Sequence, residues 1–275
     1  MYENRRRPRA SSFGATVAVA VTMAIATGST CVDAATAAPK HAQGPSLGAH
    51  TLLAQPDGQG SAPAIAGPVR TQASGSALLV LVGGYNGNAA LPSDNYGNTW
   101  VQQGPRITYR GYSGRFGTAA YVALPAKGGS DHRVSLAKPG VPAGEISAPF
   151  VEIRNAGVLQ DVATSYPAPG TVARIGRKLG RNWPGAGLTS GEVTTTGPAT
   201  LVAVWWGDAY VYRMTAVPDQ GFKVIERFLD LPPSSGVQCA VAVRQVDRAG
   251  TWRVTWRGAP AQGAILWLFA FQAGS

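Results

Sequence analysis

The stretch SDNYGNTWVQQ, Ser93 to Gln103, sets an acid, two amides and a glycine directly before a Trp-containing, strand-forming run. Asp94, Asn95 and Asn98 bring oxygen-bearing side chains to one loop, the donor type that a hard cation such as calcium takes. A single carboxylate falls short of the Asp-rich, Glu-closed loop of a strong calcium motif. The same residues also form turns: Asp94 and Asn95 favour turn initiation, Gly97 permits positive φ, and Thr99-Trp100-Val101 favours a strand. The stretch therefore reads first as a hairpin connection, with calcium as the one cofactor its donors would suit.

Two further segments combine cations with aromatic rings. GPRITYRGYSGRF supplies Arg106, Arg110 and Arg115 with Tyr109, Tyr112 and Phe116, and VARIGRKLGRNW supplies Arg174, Arg177, Lys178 and Arg181 ahead of Trp183. Guanidinium groups pair bidentately with carboxylate or phosphate, and aromatic faces stack on sugars or bases. Both segments lie between expected strands, where β-sandwiches carry recognition residues.

Reaction centres are harder to assemble. Glycoside hydrolysis needs two carboxyl groups facing each other across a cleft. Glu145 and Glu152 flank one strand, and seven residues of extended chain set them on opposite faces about 23 Å apart. They read as solvated or rim carboxylates, and a pair such as Glu152 or Glu226 with Asp208 would require tertiary contact. GPSLG, residues 44–48, fits G-x-S-x-G but lacks the strand-turn-helix setting of a nucleophile. His132 stands apart from His41 and His50, with no zinc-type cluster around it. Cys239 alternates with Val237, Val241 and Val243, as a buried small hydrophobe does.

The elements that must position these residues are strands. DHRVSLAK puts His132, Val134 and Leu136 on one face, and TWRVTWRG does the same with Trp252, Val254 and Trp256. SALLVLVGG, ATLVAVWWG and AILWLFAF are apolar on both faces and suit central strands covered on each side. The last of these is too short for a membrane-spanning helix. Laid over each other, SALLVLVGGY matches ATLVAVWWGD, NYGNTWVQQ matches DQGFKVIER, TAAYVALPA matches VQCAVAVRQ, DHRVSLAKPG matches TWRVTWRGAP, and PFVEIRNAG matches WLFAFQAG. The expected fold is all-β, an antiparallel sandwich or jelly roll built from two similar halves, about 75–157 and 197–274, whose apolar faces close on one another.

Ahead of that domain, Arg5, Arg6, Arg7 and Arg9 precede a short apolar run and then VDAATAAPK, the pattern of a signal peptide over residues 1–38. A twin-arginine route and lipidation of Cys31 fit the spacing less well. Residues 39–72 are rich in Gly, Pro, Ala and Gln and read as a tether before a domain over 73–275. Removing residues 1–38 takes away four arginines, Glu3 and Asp33, and leaves about +8 of the formal +10. Only Cys239 then remains, which excludes an intrachain disulfide.

The order of an aliphatic strand, D-x-x-G-N-T-W, a Tyr-bearing strand (AAYVAL), a V-E-φ strand end (FVEIRNAG) and SGEVTTTGPATLVAV resembles a group of secreted bacterial β-sandwich modules, over roughly residues 75–272. That resemblance implies a fold and an extracellular setting, and no catalytic residue. Together these features point to an exported, non-enzymatic module that binds an anionic polysaccharide or glycan-type surface component. The alternatives are a carbohydrate-active enzyme on a jelly-roll scaffold and a structural subunit of a surface appendage. Nucleic acid is disfavoured, because the cations fall outside any recognisable module.

Overall fold

SALLVLVGGY offers no polar side to water, so a strand of this sequence is stable only where both faces meet other layers. The computed structural model describes residues 44–167, 187–208, 213–232, 237–259 and 263–274, and there the chain is all-β. The first half forms β1 (Ser46–Gln55), β2 (Ala64–Val69), β3 (Ser76–Tyr85), β4 (Ser93–Asp94), β5 (Trp100–Thr108), β6 (Phe116–Ala126), β7 (His132–Leu136) and β8 (Ile146–Arg154). The second forms β9 (Val158–Ser165), β10 (Leu188–Thr189), β11 (Val193–Thr195), β12 (Ala199–Asp208), β13 (Thr215–Pro218), β14 (Lys223–Phe228), β15 (Val237–Val246), β16 (Gly250–Trp252), β17 (Thr255–Ala259) and β18 (Ala264–Gln272).

Each half contributes one five-stranded antiparallel sheet, β1-β8-β3-β6-β5 in the first and β9-β18-β12-β15-β14 in the second, so the two are wired alike. Between them lies a shared core in which Leu79, Leu81, Val151 and Ile153 share a cluster with Val202, Val204, Trp267 and Phe269. The alternate residues of the same strands point away from it. Leu78, Val80 and Phe150 pack with Ala64, Val134 and Leu136 of a small sheet, β2-β7-β4. On the other side, Leu201, Ala203 and Leu266 pack with Val193, Ala216 and Trp256 from β10-β17-β13 and β11-β16. The expectation of two half-sandwiches closing on each other is thereby refined, since each half is a sandwich in itself and the stack has four layers.

Two indoles fix the central layers. Trp206 Nε1 donates to Ser147 Oγ (3.0 Å), and Trp267 Nε1 donates to Thr118 Oγ1 (2.8 Å), each bond crossing from one half to the other. Gly83 makes room for the first, because a Cβ at that position would overlap the Trp206 ring.

Two expectations are corrected. The tether over 39–72 is, in its described part, domain: β1 is an edge strand on β8, and β2 pairs with β7. β1 is half-buried along its whole length and so carries no apolar alternation, while Gly67 and Pro68 in β2 sit at a register break. Nor is SDNYGNTW a hairpin. β4 pairs with β7 in the small sheet, whereas β5 pairs with β6 in the main one, so the turn crosses between layers. PDQGF makes the same crossing from β13 to β14 in the second half.

Overpacking a well-filled core usually destabilises by about 1–3 kcal/mol. Gly83→Ala should therefore shift the urea midpoint downward by an amount in that range, whereas Gly97→Ala, with open space around it but φ at +67°, acts only through backbone strain. Equal midpoints for Gly83→Ala and wild type would contradict the packing of Trp206.

Candidate functional site

Asp94 governs the crossing turn. Its Oδ1 accepts from the backbone N–H of Tyr96 (2.8 Å) and Asn98 (3.3 Å), and its Oδ2 accepts from Trp100 Nε1 (2.7 Å). Asn95 bridges the Arg133 N–H and the Asp131 carbonyl, and Asn98 bridges the N–H and carbonyl of Lys127. The oxygens considered for calcium are thus engaged by protein donors, and among the described residues no group of three or more His, Cys, Asp or Glu side chains is placed to hold a metal. Behind the turn His132 is fully buried, with Nδ1 2.8 Å from Thr71 Oγ1 and Nε2 3.9 Å from Asp94 Oδ1. Burial pushes its pKa down, against the opposing pull of Asp94 and Glu152.

The first basic segment divides into inward and outward parts. Arg106 is half-buried, donates through Nε to Asn86 Oδ1 (2.8 Å) and through Nη2 to the Tyr85 carbonyl (3.2 Å), and so braces the ends of β3 and β6. Desolvation holds its pKa below the usual arginine value. Tyr109 belongs to the shared core, stacked on Tyr166 with its edge to Trp206. Arg110 lies over the Tyr166 ring at 4.8 Å, and Arg110, Tyr112 and Arg115 remain at the surface. Arg174, Arg177, Lys178, Arg181 and Trp183 lie outside the described residues, as do the expected signal peptide and Cys31.

A site that the sequence did not suggest opens at the end of β15. Gly44, Pro45, Pro198, Ala199, Arg244, Gln245, Val246, Asp247, Arg248 and Trp252 line an open cleft of about 730 Å³, the size of a small-ligand site. The Arg244 guanidinium lies 4.8 Å over the Trp252 ring. Trp252 Nε1 donates to Thr195 Oγ1 (2.9 Å), and that hydroxyl donates to the Arg248 carbonyl (3.2 Å). A guanidinium held over an aromatic ring still has N–H donors to offer an oxyanion and loses less side-chain freedom on binding. Among the described residues, Arg244 and Arg248 have no carboxylate within ion-pair distance. The sequence held one trace of this site, RQVDRAGTW, a basic turn closed by Trp252. Trp252 instead reads from its alternation as a core residue.

Of the carboxylates considered for hydrolysis, the side chain of Asp208 lies outside the described residues, and the others are placed elsewhere in the fold. Glu152 is fully buried rather than at a rim: it accepts from the N–H of Ala49 (2.9 Å) and Gln72 (2.6 Å) and from Ser76 Oγ (2.8 Å). It therefore anchors β1 and the approach to β3, with Gly48 leaving room for its side chain. Glu145 is also buried, at 5% exposure, and Glu226 pairs with His50 at 2.7 Å, tying β14 to β1. Burial raises the Cys239 pKa far above the ordinary thiol range, which makes it an inert core thiol. Compared with protein-family models, curated proteins and solved structures, the chain matches none.

Because the folded chain keeps His132 neutral below its ordinary value of 6.5, the unfolded chain binds the extra proton there, and stability falls as pH drops below that value. Urea midpoints measured between about pH 7.5 and pH 5 should decline in the wild type and decline less steeply in His132→Phe. Parallel pH profiles for the two proteins would contradict a neutral, buried His132.

Proposed function

We propose that the chain is an exported binding module for an anionic polysaccharide, which it holds in the cleft at the end of β15. The observation that carries this reading is the Arg244 guanidinium over Trp252, whose indole is held by Thr195, in an open hollow. One face of Trp252 is covered by Arg244. On that face the ring serves as a platform for the cation, and the cation selects a carboxylate or sulfate. The lining carries one carboxylate, Asp247, so the proposed role is binding without turnover. Export is supported by the arginines and apolar run at the amino terminus, and the formal charge of +10 favours a polyanion over a neutral surface. The exposed Arg110 and Arg115 serve as a secondary, screened attraction.

Affinity electrophoresis in gels containing polygalacturonate, neutral dextran or duplex DNA tests the proposal. Retardation is expected in polygalacturonate and not in dextran, weakening as salt is raised. A charge-assisted hydrogen bond is worth about 1.5–3 kcal/mol, so Arg244→Ala should weaken binding roughly tenfold or more. Arg110→Ala with Arg115→Ala should weaken it much less. Retardation in dextran alone, stronger retardation by DNA, or an Arg244→Ala protein that binds as wild type would each reject the proposal.

A further inference from the structure

The cleft does not end at Arg244. A second hollow of about 470 Å³ is lined by Ser46, Leu47, Gly221, Lys223, Ile225, Val243, Arg244 and Gln245. The two hollows share Arg244 and Gln245, and their walls continue along the chain on both sides. Gly44 and Pro45 bound the first where Ser46 and Leu47 bound the second, and residues 244–248 bound the first where 243–245 bound the second. They are therefore successive parts of one groove that passes over the end of β15.

Among the described residues, cations line both hollows. The Arg244 guanidinium and Arg248 stand in the first hollow and Lys223 in the second, and among the described residues the lining holds one acid, Asp247. Lys223 and Arg248 are exposed, and among the described residues neither is ion-paired. A site for a chain terminus would concentrate its charge at one point. Here the cations are spread over both hollows.

Resting on the reading of the cleft given above, we infer that the groove binds the interior of a linear polyanionic glycan, with acidic sugars placed in both hollows at once. Arg244 and Arg248 hold the acidic groups on the Trp252 side and Lys223 the one beyond Gln245. Specificity then comes from the spacing of charges along the polymer rather than from any terminal group.

A series of oligogalacturonates from the monomer to the octamer, titrated calorimetrically into the protein, tests this inference. Affinity should rise with length and level off once both hollows are filled. Lys223→Gln should lower affinity for the octamer roughly two- to fivefold while leaving the shortest binding oligomer unchanged, and Lys223→Glu should lower it further. Arg244→Ala should weaken every length. Equal affinity for short and long oligomers, or an octamer indifferent to Lys223→Glu, would overturn the groove while leaving the cleft intact. Failure of every oligomer, including the octamer, to bind would overturn the cleft and the groove together.

Discussion

The structure depends on strands that are apolar on both faces. β3, β12 and β18 cannot border water on either side, and β15 can do so only near its Arg244–Gln245 end, so each main sheet must be covered twice. One covering is mutual: the two main sheets close on each other over Leu79, Val151, Val202 and Phe269. The other is local, because each half folds its own short strands back over its outer face. The four-layer stack follows from these two needs. Within the central layers, Trp206 and Trp267 each find a hydroxyl partner in the opposite half. Leaving either buried N–H unpaired would cost about 1–3 kcal/mol, which makes these bonds a check on how the halves register.

Covering a sheet with short strands requires the chain to pass repeatedly between layers, and the acids serve those passages. Asp94 accepts the N–H groups of its own turn and the Trp100 indole. Asp219 accepts the Thr255 N–H (2.8 Å), Asp161 those of Val162 and Thr194 (2.8 Å each), and Glu152 those of Ala49 and Gln72. Carboxylates placed this way neutralise backbone donors at bends and strand breaks. They are then withdrawn from solvent-facing chemistry, while many of the cations stay outside. The cleft lies at the Arg244–Val246 end of β15 and the turn that follows, where the described lining holds two arginines and one acid, Asp247.

Much of the architecture could be read from residue order. The doubly apolar runs announced buried strands, and the alternation of DHRVSLAK gave the burial of His132, Val134 and Leu136. β1 escaped because an evenly half-buried edge strand has no periodicity, and β2 because its Gly67 and Pro68 look like those of a linker. The crossing turn passed for a hairpin because its residues report a bend and not the sheet to which each arm belongs. Of the aromatic loop, Arg106 and Tyr109 turned inward, since an amphipathic side chain at a strand end can bury its stem or ring against the core. The cleft was hidden for a different reason: residues 44–45, 198–199, 244–248 and 252 meet only after both halves have folded.

The claim that binding resides at the end of β15, on a guanidinium held by Trp252, is open to direct mapping. Hydrogen exchange of the protein with and without saturating octagalacturonate would locate the contact without any substitution. The account predicts added protection at residues 44–47, 221–223 and 244–252, with little change at 109–116. Protection centred on 109–116, or spread evenly over the surface, would contradict it.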